Sequence, residues 1–473
     1  MSVAGERLVP RSHQVEAAEA MLAGRVAGRP GFLLGDATGL GKTLSVWCAL
    51  ARMPEHEVLI VCPKGAMPQW RRTIARSNLP EKAVTLVNYE RTKALMAPPE
   101  ASARRSVRAR NNALAKQGSL RRTWPLVVFD ESHRLRNPYS QQSLVCRHLA
   151  DAAAFTVYVS ATAGQAPHEL SYLGRLLGDA VGAPTATLAE FRTLMQRLGI
   201  GRAKGRWVNW SWAGDARDCA VMADLLYTGP RAIGLRRRPG DIAGWPEVQR
   251  ALAPTSLTPD ARRLYDATWR EFRREFGLLG GSNRRPVGWA ADLRFRQKAS
   301  LLRVAGTADF ADLLLGAGEQ VAISVAFLET GAALLAALEG RGWRAGAIDG
   351  TRDAEASEAA RQAFQTGDLD AVVFTVSESI SLHRGELPGG ERTRALVIHD
   401  MRHSAIQLAQ IEGRCHRDGQ AALIHYAYAE GTVEEEIAGT VVHRMAAMGA
   451  MAGEDIGVFD TILHRLAAER SSA

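Results

Sequence analysis

One stretch, Asp36-Ala37-Thr38-Gly39-Leu40-Gly41-Lys42-Thr43, restricts the folds open to this chain more than any other. The short apolar run Gly31-Phe32-Leu33-Leu34 leads into it, and the helix-permissive run Leu44-Ser45-Val46-Trp47-Cys48-Ala49-Leu50 leads out. Strand, glycine-rich turn, Lys-Thr and helix is the layout of a phosphate-binding loop. Backbone N–H groups of the turn and of the helix N-terminus then point at phosphate oxygens. Gly39 and Gly41 would shape the turn, Lys42 would reach the β and γ phosphates of ATP, and the Thr43 hydroxyl would bind Mg²⁺. Asp36 stands where the generic motif has its first glycine. Such a unit belongs to a parallel α/β sheet, and the rest of the chain has to supply that sheet.

The 473 residues allow two to four domains, and a 46% hydrophobic composition allows large packed cores. There is no run of about 18 apolar residues, so no membrane span is expected. The N-terminal stretch Met1 to Pro10 lacks the apolar core of a signal peptide. Cys48, Cys62, Cys146, Cys219 and Cys415 are scattered without a CxxC pair, which argues against structural zinc and a disulfide framework. They fit a reducing, intracellular setting, cytoplasmic or nucleoid in a prokaryotic or viral source. A formal net charge of +9 permits nucleic-acid binding by phosphate neutralisation.

Taken in order, Gln14 precedes the helix-like run Val15 to Ala23, and its amide can both donate to and accept from an adenine edge. Val58 to Lys64 is a buried-strand pattern ended by a proline, and Gln69-Trp70-Arg71-Arg72 opens the next helix. A further strand, Val84 to Val87, follows. Ala101 to Thr123 carries Arg104, Arg105, Arg108, Arg110, Lys116, Arg121 and Arg122 with no acid, as a solvated face or a nucleic-acid contact would. Leu126-Val127-Val128-Phe129 delivers Asp130 and Glu131 to the C-terminal end of a strand, where ligands sit in open α/β sheets. Downstream of a phosphate loop, Asp130 would hold Mg²⁺ through water and Glu131 would orient and deprotonate the attacking water. Thr156 to Thr162 is another strand.

From Gly164 to about Ala299 the alternation of strand and helix breaks. Trp207 to Trp212 reads as a core hairpin, and the stripe Tyr265, Trp269, Phe272 and Phe276 reads as helix packing. From Val321 the alternation resumes. Strands are expected at Val321–Ala326, Ala345–Ile348, Ala371–Thr375, Ala395–His399 and Leu423–Tyr428, with helices at Gly331–Glu339, Ala354–Gln365 and Ala405–Cys415. On the last helix Arg414 and Arg417 are spaced i and i+3, so they share a face and would act as arginine fingers on a triphosphate.

These motifs, in this order, resemble the Swi/Snf-like translocase family of superfamily 2 helicases. The loop Asp36 to Thr43 is similar to the family's Asp-Glu-Met-Gly-Leu-Gly-Lys-Thr, and Asp130 to Asn137 resembles its Asp-Glu-x-His box. Ser160-Ala161-Thr162 with Pro167-His168-Glu169-Leu170 resembles its coupling motif, and Leu235-Arg236-Arg237 its arginine-rich crossing into the second lobe. Ile348-Asp349-Gly350 followed by Phe364-Gln365, Gln410 to Gln420, and Gly431 to Ile437 resemble the motifs of that lobe. The match spans residues 8 to 440, and the short middle region with Pro-x-Glu-Leu is similar to a small annealing-helicase-like branch.

The resemblance implies an α/β fold of two RecA-like parallel-sheet lobes with a mostly helical or irregular insertion. The boundaries expected are 1–165 for the first, ATP-binding lobe, 166–300 for the insertion and crossing, and 301–473 for the second lobe with a C-terminal helix. It implies a DNA-dependent ATPase that uses Mg²⁺ and moves on duplex or branched DNA held mainly by its phosphate backbone. Gln14, Gly39, Gly41, Lys42 and Thr43 would bind the nucleotide, and Thr43 and Asp130 the metal. Lys42, Glu131, Gln410, Arg414 and Arg417 would carry catalysis. Pro63, Lys64, Tyr89, Thr375 and Ser377 lie at positions that face DNA in the family. Three stretches depart from its pattern: Glu378-Ser379-Ile380-Ser381-Leu382-His383, Arg402-His403-Ser404, and Ala163 where proline is usual. A strand-separating helicase of replication or repair, and a DNA clamp switched by nucleotide, are the alternative readings.

Overall fold

The computed structural model describes residues 8–447, apart from 78, 81, 98–106, 162, 165–166, 184–186, 201, 205–208, 212–215, 247, 279–283, 376–379, 385–388, 390, 403–404 and 417–418. The chain falls into two compact units, one running to Trp245 and the other starting at Pro246.

The first unit is built on a six-stranded sheet of β1 (Gly31–Leu34), β2 (Glu57–Cys62), β3 (Ala83–Asn88), β4 (Leu126–Asp130), β5 (Phe155–Val159) and β6 (Gly234–Leu235). Their order is β6-β1-β5-β4-β2-β3, and every pairing is parallel. Because side chains alternate across a strand, a sheet covered on both faces needs apolar residues at every position. The strands meet that demand. Leu33, Leu59, Val61, Val127, Phe129 and Tyr158 enter one apolar cluster, while Phe32, Leu34, Val58, Ile60, Val128, Val157 and Val159 enter another. Residues 166–245 pack with this unit, their helices covering one face through Leu173, Leu177, Phe191 and Met195.

The second unit has six more parallel strands: β7 (Gln249–Thr255), β8 (Gln320–Ser324), β9 (Ala345–Ile348), β10 (Ala371–Phe374), β11 (Arg394–Ile398) and β12 (Ala422–Ala429), in the order β7-β12-β11-β8-β10-β9. Five of these match the expected strands to within a residue or two. The edge strand β7 falls in the stretch where the sequence alternation breaks. It pairs with β12 from Gln249↔Leu423 to Thr255↔Ala429, yet its sequence, Gln-Arg-Ala-Leu-Ala-Pro-Thr, holds a proline and is mostly exposed or half-buried. An edge strand tolerates both, which is why no apolar run announces it. Three residues of the aromatic stripe are packing, as expected, while the Phe276 side chain lies outside the described residues. Tyr265, Trp269 and Phe272 on the helix Pro259–Leu278 meet Phe295 of the helix Arg284–Leu302, with ring centroids 5.2 to 5.7 Å apart. No helix among the described residues is long and apolar enough to cross a membrane.

Candidate active site

In the first unit the glycine-rich turn leaves the C-terminal end of β1. Gly39 and Gly41 sit at φ +93° and +75°, the left-handed region that suits glycine. Gly41 has a second constraint, since a Cβ there would stand 2.1 Å from Gln14 Nε2. Gln14 is buried against the turn: its Nε2 donates to the Leu40 carbonyl at 3.3 Å, and its Oε1 accepts the Arg11 N–H at 2.9 Å. Both ends of the amide expected to read a base are thus engaged by protein. The Lys42 ammonium donates to the carbonyls of Asp36 (2.9 Å) and Ala37 (3.2 Å), so the turn wraps its own cation.

Asp36, the departure from the generic motif, is fully buried and has a partner 201 residues away. It accepts three N–H groups of Arg237: the backbone at 2.9 Å, Nε at 3.2 Å and Nη2 at 2.6 Å. The β1–β6 ladder also runs on into the turn. Gly35 N–H donates to Leu235 O at 2.7 Å and Ala37 N–H to Arg237 O at 2.8 Å. A glycine would offer this arginine no acceptor side chain.

Strand β4 ends in the acidic pair. Glu131 is the one described non-glycine residue at positive φ, +53°, so the chain turns sharply after Asp130. Asp130 Oδ2 accepts Trp70 Nε1–H at 2.8 Å and its Oδ1 accepts the Glu131 N–H at 3.0 Å. Burial, and then the neighbouring Glu131, push the Asp130 carboxyl up to about 6, against the pull of Trp70 and Lys42. Gln69, next in sequence to Trp70, donates its Nε2–H to Thr43 Oγ1 at 3.2 Å. Two consecutive residues of the helix Met67–Arg76 therefore hold the two expected metal ligands. His133 Nδ1 lies 3.3 Å from Glu131 Oε2 and 3.1 Å from Ser160 Oγ, which joins the acidic box to the Ser160 motif after β5.

In the second unit Gln410 and Arg414 are buried on the helix Ala405–Cys415. Arg414 Nη1–H donates to the Ile380 carbonyl at 3.1 Å, and Leu382 N–H donates to the Arg414 carbonyl at 2.9 Å. Gln365 Nε2–H reaches the Ser381 carbonyl at 2.9 Å, and Ser381 Oγ pairs with His383 Nδ1 at 2.7 Å. Ile380 to His383 of the stretch that departs from the glycine pattern are thus satisfied locally and docked on the end of this helix, while Glu378 and Ser379 lie outside the described residues. The helix stops at Cys415, and Arg417 lies outside the described residues, as does Ser377. Glu412, on the same helix, takes a bidentate contact from Arg250 of β7 (2.7 and 2.8 Å) and the Tyr426 hydroxyl (2.8 Å).

Residues 13–163 match the family model described as SNF2-related domain. That stretch of the first unit is an SNF2-related domain. Two solved structures similar to this chain are of the Sulfolobus solfataricus SWI2/SNF2 ATPase core, each 16% identical. One, in complex with dsDNA, covers 99% of this chain and 97% of its own, with a TM-score of 0.38. The other, the core domain, covers 96% and 94%, with a TM-score of 0.37. No curated protein matches the chain.

The residues of the first unit's site fit a nucleotide with its metal in chemical terms. No group of three or more His, Cys, Asp and Glu among the described residues could hold a metal ion. Thr43 and Asp130 suit instead a Mg²⁺ that keeps waters and shares the phosphates. A desolvated carboxyl pushed up to about 6 is one that a divalent cation would restore to its charged form. Of the positions that face DNA in the family, Lys64 is exposed, Thr375 half-buried and Pro63 buried. Tyr89 is buried, and its hydroxyl donates to the Asp130 carbonyl at 2.8 Å, holding the end of β4. Nothing in the sequence points to Gln69, Trp70 or Arg250 as parts of the site, and the motifs that hold Arg237 and Glu412 do not name their partners. Each is one polar residue in an ordinary context, and only the tertiary fold shows its partner.

Proposed function

We propose that this Swi/Snf-like ATPase is a Mg²⁺-dependent motor that hydrolyses ATP to move along duplex DNA, gripping phosphates and not reading bases. The observation that carries the reading is one constellation in the first unit: Lys42, Thr43, Asp130 and Glu131 at the C-terminal ends of parallel strands. Lys42 is near enough to Asp130 to lower its pKa, and the Asp130-Glu131 box is linked to Ser160. When ATP binds, Lys42 exchanges its two carbonyl partners for phosphate oxygens, and the turn N–H groups add to the cradle. Glu131 takes the proton of the attacking water, with His133 beside it to hold its orientation. Bound at Thr43 and Asp130, Mg²⁺ would neutralise charge on the phosphates. Gln410, Arg414 and Arg417 of the second unit are candidates for the same reaction, the two arginines as groups that neutralise phosphoryl charge. For the arginines that requires Arg414 to leave the Ile380 carbonyl.

The net charge of +9 and the exposed Lys64 support a backbone grip on DNA. A small annealing-helicase-like role on branched DNA, and the division of labour among 1–165, 166–300 and 301–473, belong to the same proposal. The test is the steady-state ATPase rate with no nucleic acid, single strand, duplex, fork and RNA side by side. Stimulation by duplex supports the motor. A rate indifferent to every nucleic acid refutes DNA dependence, and absence of turnover with retained nucleotide binding favours the clamp.

A further inference from the structure

Gln69 and Trp70 are neighbours on one helix of the first unit, yet they reach two different elements. Consecutive helical residues point about 100° apart. Gln69 reaches the start of the helix Lys42–Arg52, where its Nε2–H donates to Thr43 Oγ1 at 3.2 Å. Trp70 reaches the end of β4, where its Nε1–H donates to Asp130 Oδ2 at 2.8 Å. Pro68, in the first turn of the helix Met67–Arg76, presets the backbone that carries both. The far end is fastened as well. Trp47 of the helix Lys42–Arg52 donates its Nε1–H at 2.7 Å to Oγ of Ser77, the residue just past Arg76. The two helices are thus pinned to each other near both ends. Trp70 is fully buried in the apolar cluster that holds Phe32, Ile60 and Val128, so water does not compete for its N–H and close packing holds the ring. A phenylalanine would fill most of that space; what the indole adds is a single donor.

We infer that Gln69 and Trp70 are positioning residues that hold Thr43 and Asp130 stiffly enough for the site to take Mg²⁺ in preference to Ca²⁺. Mg²⁺ demands near-octahedral ligands at about 2.0–2.1 Å, whereas Ca²⁺ accepts irregular ones at about 2.3–2.6 Å. Ligands of fixed direction suit the first ion, and loose ligands suit the second. The Gln69 N–H occupies one lone pair of Thr43 Oγ1 and leaves the other for a metal. On Asp130 the N–H groups of Trp70 and Glu131 take one site on each oxygen and so fix the plane of the carboxylate. A carboxylate offers about four such sites, which leaves about two for the waters of a cation. Gln69 and Trp70 act only through the two ligands, and contacts of this kind change metal affinity by about 10–100-fold. This inference rests on the reading of Thr43 and Asp130 as the metal ligands of an ATP site.

The experiment reads binding, with the fluorescent nucleotide mant-ADP as probe. Its affinity is measured in EDTA and during titration with Mg²⁺ or Ca²⁺, for wild type, Trp70→Phe and Gln69→Met, and thermal melting reads folding. In EDTA the three proteins should bind mant-ADP almost equally, because Lys42 and the turn are untouched. The Mg²⁺ concentration that gives half of the metal's effect should rise by about 10–100-fold in each variant. The Ca²⁺ concentration should shift much less, so the preference for Mg²⁺ narrows. Gln69 is half-buried, so Gln69→Met should melt near wild type and carries the test if Trp70→Phe does not fold. Unchanged Mg²⁺ dependence overturns the inference, and so do Mg²⁺ and Ca²⁺ shifting alike. A parallel loss of affinity in EDTA also overturns it, since the two residues would then be plain packing. These results leave the ATP-site reading standing as long as wild type binds mant-ADP more tightly with Mg²⁺. Wild type that binds mant-ADP indifferently to Mg²⁺ removes the metal roles of Thr43 and Asp130 and this inference with them. Wild type that binds no mant-ADP under any condition removes the ATP-site reading itself.

Discussion

Arg237→Ala is expected to cost the first unit far more than a surface arginine would. The substitution removes two of the three N–H groups that Asp36 accepts, leaving the backbone N–H at 2.9 Å. Asp36 is fully buried and the Arg237 side chain is 11% exposed, so water cannot replace the guanidinium. Hydrogen bonds to charged groups contribute about 1.5–3 kcal/mol each, and losing one partner of a buried pair costs about 3–5 kcal/mol. The further contact to Glu16 is to an exposed carboxylate and adds little. About 3–4 kcal/mol is therefore at stake. For a unit of this size each kcal/mol moves Tm by about 2–4 °C, so a fall of roughly 6–16 °C is expected. The assay is thermal and urea unfolding of wild type, Asp36→Ala, Arg237→Ala and the double variant. The cycle should return a coupling of at least about 2 kcal/mol, with the double variant more stable than additivity allows. A fall under about 2 °C in Arg237→Ala, or an additive cycle, would show that Asp36 does not depend on this arginine.

Glu131→Gln should keep nucleotide binding, since Lys42 and the turn are untouched, and lose about 10²–10⁴-fold in kcat; near wild-type turnover would assign the base elsewhere. Arg414→Ala and Arg417→Ala should each lower turnover by orders of magnitude with modest loss of affinity, because a finger acts mainly in the transition state. Unchanged turnover in both would leave the arginine-finger role without support. Burial, and then Arg303, push the His399 imidazole down to about 4. Between pH 6.5 and about 4 the unfolded chain takes up a proton that the native second unit refuses, so stability falls as pH drops through that window, by up to about 3 kcal/mol. Urea unfolding at about pH 7 and about pH 4.5 spans most of the window, and an equally steep fall in His399→Gln would exonerate the histidine. DNA affinity should fall steeply with salt and depend little on base sequence; if Arg104, Arg105, Arg108 and Arg110 contribute, neutralising them lowers the slope of log K by about 0.9 for each duplex phosphate they neutralise.

The parts of the fold legible in the sequence are those where one local pattern carries the whole physical demand. Strands buried on both faces must be apolar throughout, so β1, β2, β4, β8 and β11 stand out from their surroundings. The turn Gly39-Leu40-Gly41-Lys42-Thr43 is set by backbone conformation and shows itself for the same reason. What stays hidden is non-local. Edge strand β7 needs few apolar residues and tolerates Pro254, so its own residues do not disclose its register with β12. Asp36 looks like a blemish in a motif until Arg237, 201 residues on, supplies its donors. The Gln14 amide, able to donate and accept, suits a base edge, while the fold engages both its ends at Arg11 and Leu40. Gln69 and Trp70 open a helix with no sign that they hold Thr43 and Asp130. The spacing of Arg414 and Arg417 suggests a shared helical face; Arg414 lies on the helix Ala405–Cys415, and Arg417 is outside the described residues.

The claim that ATP turnover drives movement along duplex DNA is tested most directly by third-strand displacement. A triplex-forming oligonucleotide is annealed to a linear duplex away from the loading site, and its release is followed with wild type and Glu131→Gln. A motor that moves on duplex should release it in wild type with ATP and Mg²⁺ both required, should fail to do so as Glu131→Gln, and should leave the duplex intact at the end. Brisk ATP turnover with the third strand left in place would contradict movement, and separation of the duplex strands would identify an unwinding helicase instead.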